Sequence, residues 1–437
     1  MKRFSASIAA SAILISSLIF IYILSKIFVP QRVFIPAPGV PLHTMRFEMP
    51  LARENYNVTI RVGAMDVPGD EIDFCVKAEG RRLVFYVPGF DLSRMNEGPE
   101  TTDGIRTVVG SSGLRRFEFT FSVNVRTPGI DRDGNTAGRV LLKPGEEDHP
   151  RWDDVLSIDD LSFTPADGRP LVPLSYSIDV APDASMPVVY LAGDSTVTDQ
   201  KNEPWATWGM MIPAFFDQGT AVANHAESGL ALSSFVAHRR LEKILSTMKA
   251  GDYVLIQFGH NDQKETGPEA GANKGYSKRL AAFIDEVKAK GAHPVVVTPV
   301  ERRRFRDGTP YGTLQDYAAA AKKVAAEKNV PVIDLNSMSL KFYEALGEEG
   351  SKNAFVHYPA NTFPNQPQAL KDDTHHNPYG GFELAKCVVQ GIRDNVPELA
   401  KRLRPGIPEF DPANPDDFSS FRLPSAGGSS AKKPDGL

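Results

Sequence analysis

The hydrophobic pattern changes character at Pro187, and that change limits what the chain can fold into. After Pro187 five short apolar runs alternate with helical patterns. The runs are Val188–Ala192, Thr220–Asn224, Asp252–Phe258, His293–Thr298 and Val330–Asp334. Helix-period stretches lie between them, at Ser233–Met248, Ser277–Lys290 and Leu314–Lys328. Apolar runs without polar alternation are strands buried on both faces, so this half predicts a parallel sheet covered by helices on either side. Ligands of such sheets bind beyond the carboxyl ends of the strands.

Before Pro187 the period is two. Asn57–Val62 and Arg116–Arg126 alternate apolar and polar residues, and Gly, Pro and Asp turns separate short segments. No helix-period run interrupts them, which predicts a β-sandwich over 45–180 ahead of an α/β domain over 187–403. A tail rich in Pro, Gly and Ser occupies 405–437, and its last residues, from Ser425, read as disordered. With 437 residues, of which 41% are hydrophobic and 24% charged, there is apolar material for two cores.

The N-terminus adds a third element. Lys2 and Arg3 precede an uncharged run from Phe4 to Ser25. About 20 apolar residues span a bilayer, so 4–28 reads as a transmembrane anchor or signal segment. A small-x-small cleavage site is missing after the run, which favours an uncleaved anchor. The positive flank keeps the start in the cytoplasm and sends the rest across, to the periplasm or cell surface, or into the medium if the segment is cleaved. A proline-rich spacer with Pro30, Pro36, Pro38 and Pro41 follows.

The net charge of −5 gives no reason to expect nucleic acid as a partner. The two cysteines, Cys75 and Cys387, are no disulfide framework, although a single bridge between them is conceivable.

Four segments at strand ends carry candidate chemistry. Gly193-Asp194-Ser195 follows the first strand, where a serine hydroxyl is exposed and backbone N–H groups are near. Taken alone it is also a common turn, and a serine needs a base to become a nucleophile. Gly229, after the second strand, allows its N–H to approach an oxyanion, or is a plain turn glycine. Asn261, in Gly259-His-Asn-Asp262 after the third strand, carries an amide that can donate to the same oxyanion. Asp372-Asp-Thr-His-His376 precedes a helical pattern over Gly380–Asn395 and can supply a histidine base with an aspartate to orient it. Two adjacent Asp and two adjacent His also admit a metal reading, but no His-Glu-x-x-His accompanies them.

The order Ser, Gly, Asn and Asp-x-x-His resembles the SGNH, or GDSL-type, hydrolases. Leu191–Thr198, Gln257–Gln263 and Asp372–Gly381 look more narrowly like the rhamnogalacturonan acetylesterases. The resemblance covers about 187–403. It implies a flavodoxin-like three-layer α/β/α fold, with Ser195 as nucleophile, His375 as base and Asp372 as its orienter. It implies an oxyanion hole from the Ser195 and Gly229 N–H groups and the Asn261 amide, and no cofactor. The expected activity is removal of acetyl groups from a polysaccharide, rhamnogalacturonan first, with xylan or another glycan as the alternative. A non-catalytic glycan-binding protein is a further reading.

Two departures stand out. Many relatives have arginine after the second glycine, where this chain has Leu230, and an aromatic residue after the catalytic histidine, where it has His376. His376 therefore competes with His375 for the role of base, and the Asp-x-x-His register favours His375. For substrate contacts, Arg302 and Arg303 follow the fourth strand and can grip a uronate carboxylate, or belong to a solvated charge run. Trp205 can line the sugar site or pack in the core, as can Trp208. His225 and His260 neighbour the site without an assigned role, and the loop 350–371 is a candidate wall of the cleft.

Overall fold

The computed structural model describes residues 32–34, 47–50, most of 55–125 and 155–168, and 171–424 except 201. The expected anchor at 4–28 and the tail from Ser425 lie outside the described residues. Among the described residues no helix is long and apolar enough to cross a membrane.

The first half forms two antiparallel sheets. Strands β1 (Arg32–Phe34), β3 (Asn55–Ala64), β6 (Glu100–Thr102), β7 (Ile105–Val109), β8 (Arg115–Asn124) and β10 (Ser175–Pro182) lie in the order β1-β10-β3-β8-β7-β6. Strands β2 (Phe47–Pro50), β4 (Glu71–Ala78), β5 (Arg82–Asp91) and β9 (Val155–Pro165) lie in the order β2-β9-β4-β5. The two alternating segments read from the sequence are neighbours, paired Val58 to Phe121, Ile60 to Phe119 and Val62 to Phe117. Their apolar faces point inward because successive side chains of a strand take opposite sides. Phe74 of β4 meets Phe117 and Phe119 of the opposite sheet at ring-centroid distances of 5.3 and 6.0 Å, and Phe90 and Phe163 at 5.7 and 5.2 Å. One apolar cluster thus joins both sheets.

The second half holds a five-stranded parallel sheet: β11 (Val188–Gly193), β12 (Ala221–Asn224), β13 (Tyr253–Gln257), β14 (His293–Val297) and β17 (Val332–Ile333), in the order β12-β11-β13-β14-β17. A small hairpin, β15 (Phe305–Arg306) and β16 (Thr309–Pro310), intervenes in sequence. Neighbouring residues of β11 feed two separate cores. Val189 and Leu191 face one, and Val188, Tyr190 and Ala192 face the other. The first core is covered by α1 (Trp208–Met211), α6 (Leu335–Gly350) and α7 (Pro378–Asn395). The second is covered by α2 (Leu232–Ala237), α3 (Arg240–Thr247), α4 (Ser277–Ala289) and α5 (Gln315–Glu327). This is the expected three-layer α/β/α arrangement, and its strand order reverses between β11 and β13, the position at which such sheets bind ligands.

Two details differ from the sequence reading, and a third adds to it. The pattern over Ser233–Met248 is two helices, because Arg239 turns the chain with φ +59°. The catalytic-loop segment is itself a strand, β19 (Leu370–His376), paired antiparallel with β18 (Phe355–Tyr358). Part of the tail is packed: Phe410, Phe421 and Leu423 lie against the first core, and the Tyr379 hydroxyl donates to Asp416 O at 2.7 Å.

The two halves share that first core. Cys75, Leu83 and Tyr86, on the outer side of β4 and β5, are buried with Trp208, Phe215 and Phe382. The Tyr86 and Phe382 rings meet edge to face at 5.3 Å. Both cysteines are buried free thiols, so no bridge links the halves.

Asp262 ties the third strand's loop to α2, accepting from Leu232 N at 2.9 Å, while its second oxygen is buried without a hydrogen-bond partner among the described residues. Burial pushes its carboxyl up to about 7, Leu232 N opposes this, and the charges of Asp194 and Glu265 add to it.

Two outcomes follow for stability. Phe74→Ala removes a ring that meets four others, and is expected to cost about 3–5 kcal/mol in urea unfolding. For Asp262 the folded-state pKa lies above the unfolded one of about 4. The unfolded chain therefore releases its proton first, and the contribution of Asp262 is full below about pH 4 and lost as the pH rises to about 7. Asp262→Asn is expected to flatten the stability profile across that window, as measured by urea unfolding at successive pH values.

Candidate active site

Ser195 sits two residues beyond Gly193, the last residue of β11. A side chain at Gly193 would lie 2.5 Å from Val197 Cγ2 and 2.9 Å from Gln257 O, so only glycine lets the turn close there. Asp194, fully buried, ties the turn together. Its Oδ1 accepts from Thr196 N at 2.9 Å and Thr196 Oγ1 at 2.7 Å, and its carbonyl accepts from Val197 N and Thr198 N. Gln257, at the end of β13, donates Nε2 to Thr196 Oγ1 at 2.7 Å and accepts from Trp208 Nε1 at 2.9 Å. The Gln200 amide donates to Ser195 O at 2.6 Å.

His375 arrives from β19. Its Nε2 lies 2.9 Å from Ser195 Oγ and its Nδ1 lies 2.8 Å from Asp372 Oδ2. With Nδ1 donating to the carboxylate, Nε2 is left as the acceptor of the serine hydroxyl, the tautomer a general base needs. Asp372 Oδ1 accepts from Thr374 N at 2.9 Å and His375 N at 3.1 Å. Burial raises the Asp372 carboxyl, but the hydrogen bond and charge of His375 and the two backbone amides outweigh it and hold the group well below the usual carboxylate range.

The catalytic loop is also pinned to the nucleophile loop: Ala206 N donates to His376 O at 2.8 Å, and Trp205 Nε1 donates to Asp372 Oδ2 at 3.3 Å. Trp205 is 1% exposed, so it cannot offer its face to a sugar as the sequence reading allowed. It is instead a second donor to the carboxylate that orients His375. Its distance of 167 residues from Asp372 explains why no local spacing revealed it.

His376 does not compete as base. Its Nε2 lies 2.9 Å from the Tyr343 hydroxyl, which donates to Glu301 O at 2.9 Å. Burial, then the neighbouring His375 and His260, push its pKa down to about 3, so the ring stays neutral. Its ring lies 4.3 Å from that of Phe355, where it fills the place of an aromatic side chain.

Gly229 and Asn261 come from the loops after β12 and β13. Gly229 has φ +80°, a left-handed conformation that favours glycine. Asn261 Nδ2 donates to Leu230 O at 3.1 Å and its Oδ1 accepts from Lys264 Nζ at 3.1 Å, so the amide points its nitrogen towards the Gly229–Leu230 segment. Leu230 is buried in the second core. His260 lies beneath, 3% exposed, with Nδ1 3.7 Å from Asp194 Oδ2. His225 is likewise buried, and its carbonyl accepts from Arg240 at 3.2 Å.

In the arginine run after β14, Arg303 is buried, Arg302 half-buried and Arg304 exposed, and all three hydrogen-bond within the protein. Arg303, 8% exposed, donates to Ser351 Oγ at 3.0 Å, Asp373 Oδ1 at 3.1 Å and Glu348 O. Arg304 reaches the other oxygen of Asp373 at 3.0 Å. Arg302 donates to Gln263 Oε1 and Thr313 Oγ1, both at 3.0 Å. Arg303 and Arg304 thereby brace the residue next to Asp372. The same cluster is engaged within the protein: Asp373 meets two arginines and His357, Asp372 meets His375, and His376 meets Tyr343. Among the described residues no group of three or more potential ligands could hold a metal ion.

Residues 191–380 match the model of the GDSL-like lipase/acylhydrolase family. Over 209 residues the chain is 44% identical to rhamnogalacturonan acetylesterase RhgT of Bacillus subtilis, covering 47% of this chain and 89% of that protein. It is 34% identical over 211 residues to the probable rhamnogalacturonan acetylesterase YesY of the same organism, covering 47% and 92%. A rhamnogalacturonan acetylesterase of Emericella nidulans is 24% identical over 237 residues, covering 49% and 89%. The chain belongs to the GDSL-like lipase/acylhydrolase family and is a carboxylic ester hydrolase.

Proposed function

We propose that the enzyme removes acetyl groups from hydroxyls of rhamnogalacturonan, using Ser195 as nucleophile, His375 as general base and Asp372 as its orienter. The observation that carries this is the continuous relay Ser195 Oγ–His375 Nε2, His375 Nδ1–Asp372 Oδ2, at 2.9 and 2.8 Å. The substrate is supported by the similarity to the rhamnogalacturonan acetylesterase RhgT and the probable rhamnogalacturonan acetylesterase YesY.

The steps follow from the geometry. His375 Nε2 takes the proton of Ser195 as Oγ attacks the acetyl carbonyl. The imidazolium so formed is stabilised by the Asp372 carboxylate, which keeps its charge. The tetrahedral oxyanion is met by the N–H groups of Ser195 and Gly229 and by the Asn261 amide N–H not donated to Leu230 O. His375 returns the proton to the departing sugar oxygen, leaving an acetyl-enzyme. Water then attacks that ester with His375 again as base, and His375 passes the proton to Ser195 Oγ as acetate leaves.

The reading extends to the rest of the chain. The two N-terminal sheets form a β-sandwich accessory domain over 45–180, and the run 4–28 anchors the enzyme on the far side of a membrane from the cytoplasm. The support for the anchor is its sequence: an uncharged run next to Lys2 and Arg3.

Two experiments test these statements. Acetate release is measured from acetylated rhamnogalacturonan and acetylated xylan side by side. Release from the pectic polymer is expected with wild type and is expected to fall by several orders of magnitude in Ser195→Ala. Release from xylan alone would discard the substrate, and release from neither, with binding retained, would favour a glycan-binding role. Deletion of residues 1–30 is expected to move activity from the membrane to the soluble fraction, and activity that stays with the membrane would discard the anchor.

A further inference from the structure

The contact between the two halves falls on the nucleophile loop. β4 and β5 are joined by a tight turn in which Glu79 and Gly80 both have positive φ, +53° and +97°. Arg81 and Arg82 follow it and reach across into the α/β domain. Arg82, 1% exposed, donates Nε and Nη2 to Asp199 Oδ2 at 3.2 and 2.9 Å, and Nη1 to Val222 O at 3.3 Å. Arg81, 9% exposed, donates Nη1 to both Gln200 O and Trp205 O at 3.0 Å, and its Nη2 lies 3.6 Å from Glu203 Oε1.

These contacts land on both ends of the segment 199–205, and each end leads to the catalytic relay. At one end Gln200, next to Asp199, donates to Ser195 O at 2.6 Å. Asn224 clasps the same end through Asp199 Oδ1 at 2.8 Å and Val197 O at 2.7 Å. At the other end Trp205 donates to Asp372 at 3.3 Å. A guanidinium is suited to this task because its planar fork fixes direction as well as charge.

We propose that Arg81 and Arg82 are positioning residues for the hydrolysis, so that the N-terminal β domain completes the active site by setting Ser195 against His375 and Asp372. This rests on the roles given above to those three residues. RhgT is matched over 89% of its length by 47% of this chain, so a two-sheet domain ahead of the esterase is an addition to that plan and the brace is supplied by the added part.

The test uses the full chain. Arg82→Met combined with Asp199→Asn removes both buried charges together, which avoids stranding either one. Hydrogen exchange over 194–207 is expected to speed up while the amides of β13 and β14 keep their protection. With p-nitrophenyl acetate, kcat is expected to fall roughly tenfold to a hundredfold, the scale for small misplacements of catalytic groups, with KM within about twofold. Arg81→Met, which leaves the Arg82–Asp199 pair intact, is expected to move both readouts in the same direction and decides the matter if the double variant does not fold. Unchanged exchange in the loop, or a lowered melting temperature with unchanged kcat, would overturn the proposal. A wild type that does not hydrolyse the ester would discard the catalytic roles, while the exchange measurement would still judge the brace.

Discussion

The Asp372 carboxylate keeps its negative charge inside the protein, and much of the surrounding structure exists to meet that charge. An isolated buried carboxylate would take up a proton. Here two backbone amides, the His375 ring and the Trp205 indole all donate to it. Each donor also fixes something else. The amides set the shape of β19, the imidazole is held in the tautomer that leaves Nε2 free for Ser195, and the indole brings the far end of the nucleophile loop to the catalytic strand. Protonating Asp372 would remove the charge that all these donors meet, and a proton on Oδ2 would compete directly with the imidazole and the indole.

The arginines around the site have a common logic. Arg303, Arg304, Arg81 and Arg82 are placed where loops beside Ser195 and Asp372 have backbone carbonyls or an acid to satisfy. Arg303 and Arg304 converge on Asp373, the neighbour of the triad acid, and Arg81 and Arg82 converge on 199–205. Loops cannot satisfy their polar groups by the repeating ladders of helices and strands. A fork of five donors is the densest way to close several of those bonds from one side chain.

This use of arginine also explains what could be read in the sequence. Strand alternation, the switch at Pro187 and the places of Ser195, Gly229, Asn261, Asp372 and His375 were legible because periodicity and short spacings are local signals. That His375, and not His376, meets an aspartate was legible too, since an aspartate three residues before a histidine lies within its own turn. Trp205 and Arg303 were open to a substrate role because their neighbours in sequence are in the site. Their partners, at separations of 167 and 70 residues, decide otherwise. The break at Arg239 was missed for a different reason: the apolar periodicity continues through it, since both α2 and α3 bury one face in the same core. The Arg81–Arg82 contact leaves no trace in either half, because each half alone is a consistent fold.

That last point bears on why a buried ion pair sits between the halves at all. Taking Arg82 and Asp199 out of water costs several kcal/mol per ion, and their attraction repays it only when geometry and additional hydrogen bonds are good. A pair of apolar residues would hold the domains together as firmly, as Tyr86 and Phe382 already do close by. Apolar contacts are tolerant of sliding, however, whereas a fork bonded to one carboxylate oxygen and one carbonyl has a single satisfied arrangement. Cys75, Leu83 and Tyr86 therefore supply the adhesion of the interface, and Arg81 and Arg82 supply its register. A register error there would be transmitted to Ser195 through Gln200 and to Asp372 through Trp205, the two ends of the relay that has to stay within hydrogen-bond reach for ester hydrolysis to occur.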